Sequence, residues 1–538
     1  MSFKVLRIHL PDLLIILFTI LFVICWFYLA LIKFLSFHDF YGDLGQNTSY
    51  LIAIYNTKNI KTLFEEVRPQ SYFSLFIAGI IGIFPSAFTL VTLQIISTGL
   101  TLIFLYIYAY KSSQNKWHSF FITLSYSLSF SLNANLWQSY GHIMEFFPLF
   151  FFAGFAFKDR KYIFNFLIII ASLTNIVMLL SMILLLLIQE RKNVQESTKS
   201  KLSLIRKIGM DRIIAIFVLL VPISLFFLQE NFTEFVSFNN GSFSHTNSSI
   251  ISQIANLYIN NFMLTITSKI LTLLLILIPF VLVFTKRNKK FIIFLPVCIF
   301  IIFSNYAVGY FNFQFYLSST LVPLLFFLFI ESYGKFSASR VEIFGYKSST
   351  VKSKIHNYSV MKLKQALNSC SRNKVVFYLL ISTVIISLFY APWGPLNSSH
   401  IPGQNLNSYY HFNNDIKLTQ AEQGADKFLS FIPRNATVLI QDNMPIFSNR
   451  DRNYIFGPNL IPTNKSVFQP GPTPKTLIPQ FIVIDSSSYW FTAPFESGYN
   501  MAYWVGYYTT HYHYGVRAIS GEFELYELNY KGNVTQFS

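Results

Sequence analysis

The chain has 538 residues, of which 53% are hydrophobic and only 12% charged, with a mean hydropathy of +0.45, whereas an average soluble domain carries about 25% charged residues. That balance excludes an ordinary soluble domain and leaves a polytopic membrane protein. The net charge of +17 would raise nucleic acid as a partner in a soluble chain. Here the cations fall in alternate loops, and no basic stripe with interleaved aromatics lies outside them, so nucleic acid is excluded as a partner.

In chain order, the first apolar run, Leu13 to Leu35, is too long for a signal-peptide core of roughly 7 to 15 residues and is read as a retained first helix. His38, Asp39, Phe40, Tyr41, Gly42, Asp43, Leu44 and Gly45 follow, an acidic and aromatic cluster in a chain where acids are scarce. Tyr72 to Pro85 is apolar but short, which suits an interfacial or re-entrant helix. Eleven spans are expected near 13–35, 88–110, 119–134, 142–157, 162–174, 176–189, 212–229, 266–285, 291–308, 318–334 and 375–391. Basic stretches on both sides of 162–189 favour two crossings there over one long tilted helix.

Of the 41 Lys and Arg, 27 lie in loops or termini that alternate with these spans, which places the N-terminus in the cytoplasm and the region after Ala391 outside the cell membrane. The sequons at Asn47, Asn231, Asn240, Asn247, Asn397, Asn435, Asn464 and Asn533 fall on the outer side of this topology, and Asn357 alone falls inside. The basic stretch from Lys335 to Lys374 is expected to be a solvated cytoplasmic segment that meets anionic lipid.

After Ala391, Pro, Asn, Ser and Tyr replace the apolar runs. Thr419 to Phe431 reads as a helix, Ala436 to Gln441 and Gln480 to Asp485 as buried strands, and Val516 to Tyr530 as a hairpin turning at Ser520-Gly521. The fold class is therefore an α-helical polytopic membrane protein (1–391, with a first outer loop at 36–87) followed by an extracytoplasmic α/β domain (392–538).

The chemistry-bearing residues gather on the outer side. Asp43 or Asp39 can serve as a general base or can keep a turn polar. His142 and Glu145 are three residues apart and share one helix face, and an ionisable group such as Glu145 in a span usually faces a polar cavity. A phosphate-bearing substrate needs a cation there, and Arg68 and Lys269 are the candidates. His511 and His513 stand at strand spacing, with Tyr508, Tyr512 and Tyr514 around them. They lack a third ligand at a recognisable spacing, so they are read as an aromatic surface, and the three cysteines build no disulfide or zinc framework.

The order of these features resembles a family of predicted polytopic membrane proteins, of undetermined function, that groups with the GT-C glycosyltransferases. The resemblance is carried by Asp43-Leu44-Gly45, Arg68-Pro69, Phe84-Pro85, and His142 with Glu145. Tyr316, Pro323, Phe431-Ile432-Pro433, Ala436-Thr437-Val438 and Ser448-Asn449-Arg450 continue it. The chain departs from the family pattern at Thr174-Asn175, where a Lys-Glu pair stands, and at Phe315, where a His stands. The resemblance implies a catalytic acid in the first outer loop, Asp43 with Asp39 as stand-in, and roles for His142 and Glu145 in positioning the sugar or a divalent metal. Arg68 or Lys269 would then meet the donor phosphate, and Tyr316, a position the resemblance matches, is a further candidate for substrate binding. The implied donor is a polyprenyl-phosphate sugar entering from membrane lipid, and the acceptor a glycan, lipid or protein. A transporter or flippase, or a non-catalytic scaffold whose outer domain binds partners, are the competing classes.

Overall fold

The computed structural model describes residues 9–35, 43–56, 73–138, 142–175, 178–188, 210–228, 273–284, 288–298, 320–336, 372–391, 419–433, 436–441, 444, 452–456, 478–487 and 501–537. The chain divides into two compact units. The first comprises Met1–Phe22, Ser97–Asn135 and Phe146–Asn405, and the second Val23–Ile96, Leu136–Glu145 and Leu406–Ser538.

The protein is mostly helical. Its helices are α1 (Leu10–Leu35), α2 (Asp43–Asn56), α3 (Ser74–Ile83), α4 (Ala87–Ser113), α5 (Lys116–Ser127), α6 (Phe130–Gln138), α7 (Phe147–Ala156), α8 (Lys161–Thr174), α9 (Leu179–Ile188) and α10 (Met210–Leu228). They continue with α11 (Leu273–Phe284), α12 (Leu321–Tyr333), α13 (Arg372–Tyr390), α14 (Gln420–Asp426) and α15 (Met501–Tyr512). Among the described residues, α1, α4 and Arg372–Phe389 of α13 are long and apolar enough to cross a bilayer, and α3, α8, α9, α11 and α12 are shorter apolar helices. On α1, Leu13, Ile16, Leu17, Ile20, Leu21 and Ile24 are exposed at three- and four-residue spacing. A stripe of that kind would be a large apolar patch in water and is an ordinary lipid face in a bilayer.

In the first unit, charged groups at the helix ends are paired. Asp12 accepts from Lys116 Nζ at 2.5 Å and from the Tyr106 hydroxyl at 2.6 Å, tying α1, α4 and α5. The Tyr108 hydroxyl donates to Glu331 Oε1 at 2.6 Å, and Lys290 Nζ donates to Oε2 at 2.5 Å. Around the buried Tyr108 ring stand Phe155 and Phe327, their own centroids 4.6 Å apart.

The expected continuous span at 119–134 is instead two helices broken at Leu128-Ser129. In lipid each freed carbonyl needs a donor. Ser129 Oγ serves the Tyr126 carbonyl at 2.8 Å, Asn133 Nδ2 serves those of Ser127 and Ser129 at 2.9 and 2.8 Å, and Ser387 Oγ of α13 serves that of Leu128 at 2.5 Å. Residues 161–174 and 179–188 are two helices and not one long one, because Asn175 is extended (φ −152°) at the end of α8.

In the second unit a six-stranded sheet is built from β1 (Thr437–Gln441), β2 (Arg452–Phe456), β3 (Phe481–Asp485), β4 (Tyr514–Ser520), β5 (Phe523–Leu528) and β6 (Thr535–Gln536), in the order β2-β1-β3-β5-β4-β6. β1 pairs parallel with β2 and β3, while β5 runs antiparallel between β3 and β4. Val438, Ile440, Phe481, Val483 and Leu525 pack on one face with Ala425 and Phe428, and Leu439, Ile482 and Ile484 on the other with Val505 and Tyr508 of α15. A Thr419–Glu422 capping box opens α14. The hairpin turns one residue later than the Ser520-Gly521 centre expected from sequence, through Gly521 and Glu522.

Gly521 has φ +57°, and a Cβ there would come within 2.7 Å of Ala421 Cβ. Gly521→Ala is therefore expected to destabilise the sheet domain by about 1–2 kcal/mol from the left-handed backbone alone. Faster amide exchange across β4 and β5 in the variant is the readout.

Candidate functional site

The sequence places Asp43 and the His142–Glu145 pair more than ninety residues apart, and the second compact unit holds both. Asp43 is the first residue of α2. One turn on, Asn47 shares its helix face by the four-residue spacing, and Asn47 Nδ2 lies 3.3 Å from His142 Nδ1. An amide donating to Nδ1 leaves the imidazole proton on Nε2. The Asn47 side chain is half-buried on a helix and engaged in this contact, so the amide of that sequon is already in use by the fold.

Glu145 follows on the single 3-10 turn Ile143–Phe146, its N–H donating to the His142 carbonyl at 3.1 Å, and the residue is only 8% exposed. The helix expected to open at 142 is this tight turn, followed by α7. His142 lies just before the turn and is tied to Glu145 through that backbone bond.

A residue missed in the sequence lies in the same compact unit. Lys33, in the last turn of α1, is 2% exposed, and its Nζ donates to the Trp137 carbonyl at 2.5 Å while lying 5.4 Å from the centroid of the Trp137 ring. A lone lysine in the last turn of an apolar helix reads as one that snorkels to the surface. Its burial is a tertiary property that the local sequence does not mark. α1 is held against α4 beside it by Phe27 and Phe34, both with ring centroids 5.3 Å from Phe88.

α2 also packs against α3 and against the edge strand β2 of the sheet. Gly82 of α3 makes room for this, since a Cβ there would fall 2.2 Å from the Tyr55 ring of α2.

Asp39, Arg68, Lys269 and Tyr316 lie outside the described residues. Among the described residues no three His, Cys, Asp or Glu side chains gather as a metal site. His511 and His513 do not share a strand. His511 lies in the last turn of α15, and His513 follows the helix at φ +59°, the left-handed conformation that ends helices. In the sheet domain, burial pushes the Tyr508 hydroxyl up to about 12, with Tyr512 and Tyr507 adding to the shift.

Apolar helices of membrane-crossing length, a lipid-facing stripe on α1 and donors placed at a helix break define an α-helical integral membrane protein. The chain belongs to the family described as predicted membrane protein (DUF2079), whose model matches residues 70–470. No curated protein matches the chain.

Proposed function

We propose that the chain is a membrane glycosyltransferase of GT-C type that moves a sugar from a polyprenyl-phosphate-linked donor to an extracytoplasmic acceptor. In this reading the chain crosses the cell membrane eleven times, with its N-terminus in the cytoplasm and the sheet domain outside. The observation that carries it is the Asn47–His142 contact, which joins the helix headed by Asp43 to the His142–Glu145 turn in the unit that also holds the buried Lys33.

Asp43 takes the proton of the acceptor hydroxyl as that oxygen attacks the anomeric carbon. The bond from that carbon to the phosphate oxygen breaks, and the polyprenyl phosphate leaves with the electron pair. Lys33, with Arg68 and Lys269, meets the charge on the departing phosphate, His142 and Glu145 position the sugar, and Tyr316 contributes to the donor contact.

The test is transfer of radiolabelled sugar from a panel of polyprenyl-phosphate donors by the purified protein in lipid. Labelled product establishes the reading, and no transfer from any donor by a folded protein ends it. The transporter reading draws on the same buried Lys33 and Glu145, because ionisable groups in a membrane region usually mark a solute path. Uptake of label into sealed vesicles without product would favour it.

Lys33→Met is expected to raise the KM for donor by about 10- to 100-fold, the loss of one charge-assisted hydrogen bond of about 1.5–3 kcal/mol. Lys33→Arg should keep most of the affinity, and steady-state kinetics over donor concentration separates the two.

A further inference from the structure

α15 is amphipathic in an unusual sense, since its inner face is apolar and aromatic and its outer face is aromatic as well. Val505 and Tyr508 pack on Leu439, Ile482 and Ile484 of the sheet. Tyr503, Tyr507 and His511 follow one another at four-residue spacing on another face of the helix, with Tyr503 48% exposed and His511 exposed. Tyr507 and His511 are stacked, their ring centroids 4.0 Å apart and their planes 24° from parallel.

Two further features bear on this face. Gly506 is exposed, and a Cβ added there would meet nothing within 4 Å. His511 Nδ1 lies 3.0 Å from the Tyr507 carbonyl. A carbonyl only accepts, so Nδ1 is the donor of that contact. The exposed Thr510 and the tyrosines add hydroxyls to the same face.

The helix Met501–Tyr512 carries no Lys, Arg, Asp or Glu. That disfavours an anionic or cationic partner. It also disfavours a membrane-surface role, since helices that lie on lipid combine Trp, Phe or Leu on one side with Lys and Arg on the other. A ligand suited to this face is neutral, has a flat face of C–H bonds for the negative faces of the rings and carries many hydroxyls for the rim. A pyranose meets all three requirements.

The sheet topology fixes how α15 is connected. β4 runs parallel to β3, so α15 is the crossover between them.

We propose that the Tyr503–Tyr507–His511 face of α15 is a binding site for neutral carbohydrate. Within the proposed transfer it makes the acceptor a glycan, and that role rests on the glycosyltransferase reading, whereas the binding itself does not.

The experiment uses the full chain in lipid nanodiscs with no donor present, titrated with neutral oligosaccharides of glucose, mannose, galactose and N-acetylglucosamine and read by saturation-transfer NMR. At least one oligosaccharide is expected to bind, with Tyr507→Ala and Tyr503→Ala each weakening it about tenfold and Tyr507→Phe keeping it within about threefold. Amide exchange over β3 and β4 checks that the variants keep the sheet domain folded. Binding by none of the sugars, or binding unchanged in both alanine variants, overturns the proposal, as does protection of α15 by lipid alone. Because donor is absent, binding without transfer activity would retain this site while removing the glycosyltransferase reading.

Discussion

Asn at position 43 is expected to lower sugar transfer by about 10²- to 10⁴-fold, the range contributed by a positioned general base. The substitution keeps the size and hydrogen-bonding shape of the side chain and removes only its basicity. Its cost to folding is small, since Asp43 opens α2 and a carboxylate at a helix N-terminus contributes about 0.3–1 kcal/mol through the helix dipole. The loss should appear in kcat, with the KM for donor nearly unchanged, which is the reverse of the pattern expected for Lys33→Met. Single-turnover transfer with saturating donor is the decisive measurement, and a variant that transfers at the wild-type rate would remove Asp43 from the mechanism.

The second large effect lies in the first unit. Lys290 and Glu331 are paired at 2.5 Å with side chains 17% exposed, and the Tyr108 hydroxyl closes the other carboxylate oxygen at 2.6 Å. Removing one member of such a pair leaves a buried charge uncompensated and costs about 3–5 kcal/mol, whereas replacing both by apolar groups of similar volume is often close to neutral. Lys290→Met should therefore lower the unfolding midpoint in detergent by on the order of 10 °C. Lys290→Met combined with Glu331→Leu should recover most of that loss. A double variant as unstable as the single one would show that the Tyr108 contact, and not the charge, dominates.

Much of this fold can be read from the sequence where one local rule acts alone. Thr419 and Glu422 announce a capped helix, Ala436 to Gln441 and Gln480 to Asp485 are β-branched runs that become β1 and β3, and the hairpin follows from alternation around a glycine. The failures come where tertiary partners decide. Leu128-Ser129 sits in an apolar run that reads as one span, and its break is stable only because Ser129, Asn133 and Ser387 supply the missing donors. α15 is rich in Tyr, Thr and Trp, residues that favour strands, and the sheet face beneath Val505 and Tyr508 overrides that preference.

The candidate site divides in the same way. His142 and Glu145 declare themselves by being polar in an apolar region, while Lys33 does not, because burial of a helix-end lysine leaves no mark on its neighbours in sequence. The link between α2 and His142 is equally invisible, since Asn47 reads as one more sequon in an Asn-rich chain.

The bond from Ser387 to the Leu128 carbonyl joins residues 259 positions apart. During synthesis the α5–α6 bend therefore enters the bilayer long before its partner exists. At about 5–20 residues per second the delay is roughly 13–50 s. Over that interval the Leu128 carbonyl must be held by water, the insertion machinery or a passing lipid. Maturation of this bend is thus set by translation of the last apolar helix, and a ribosome stalled before Ser387 would leave a nascent chain with an open polar notch that quality-control proteases could recognise.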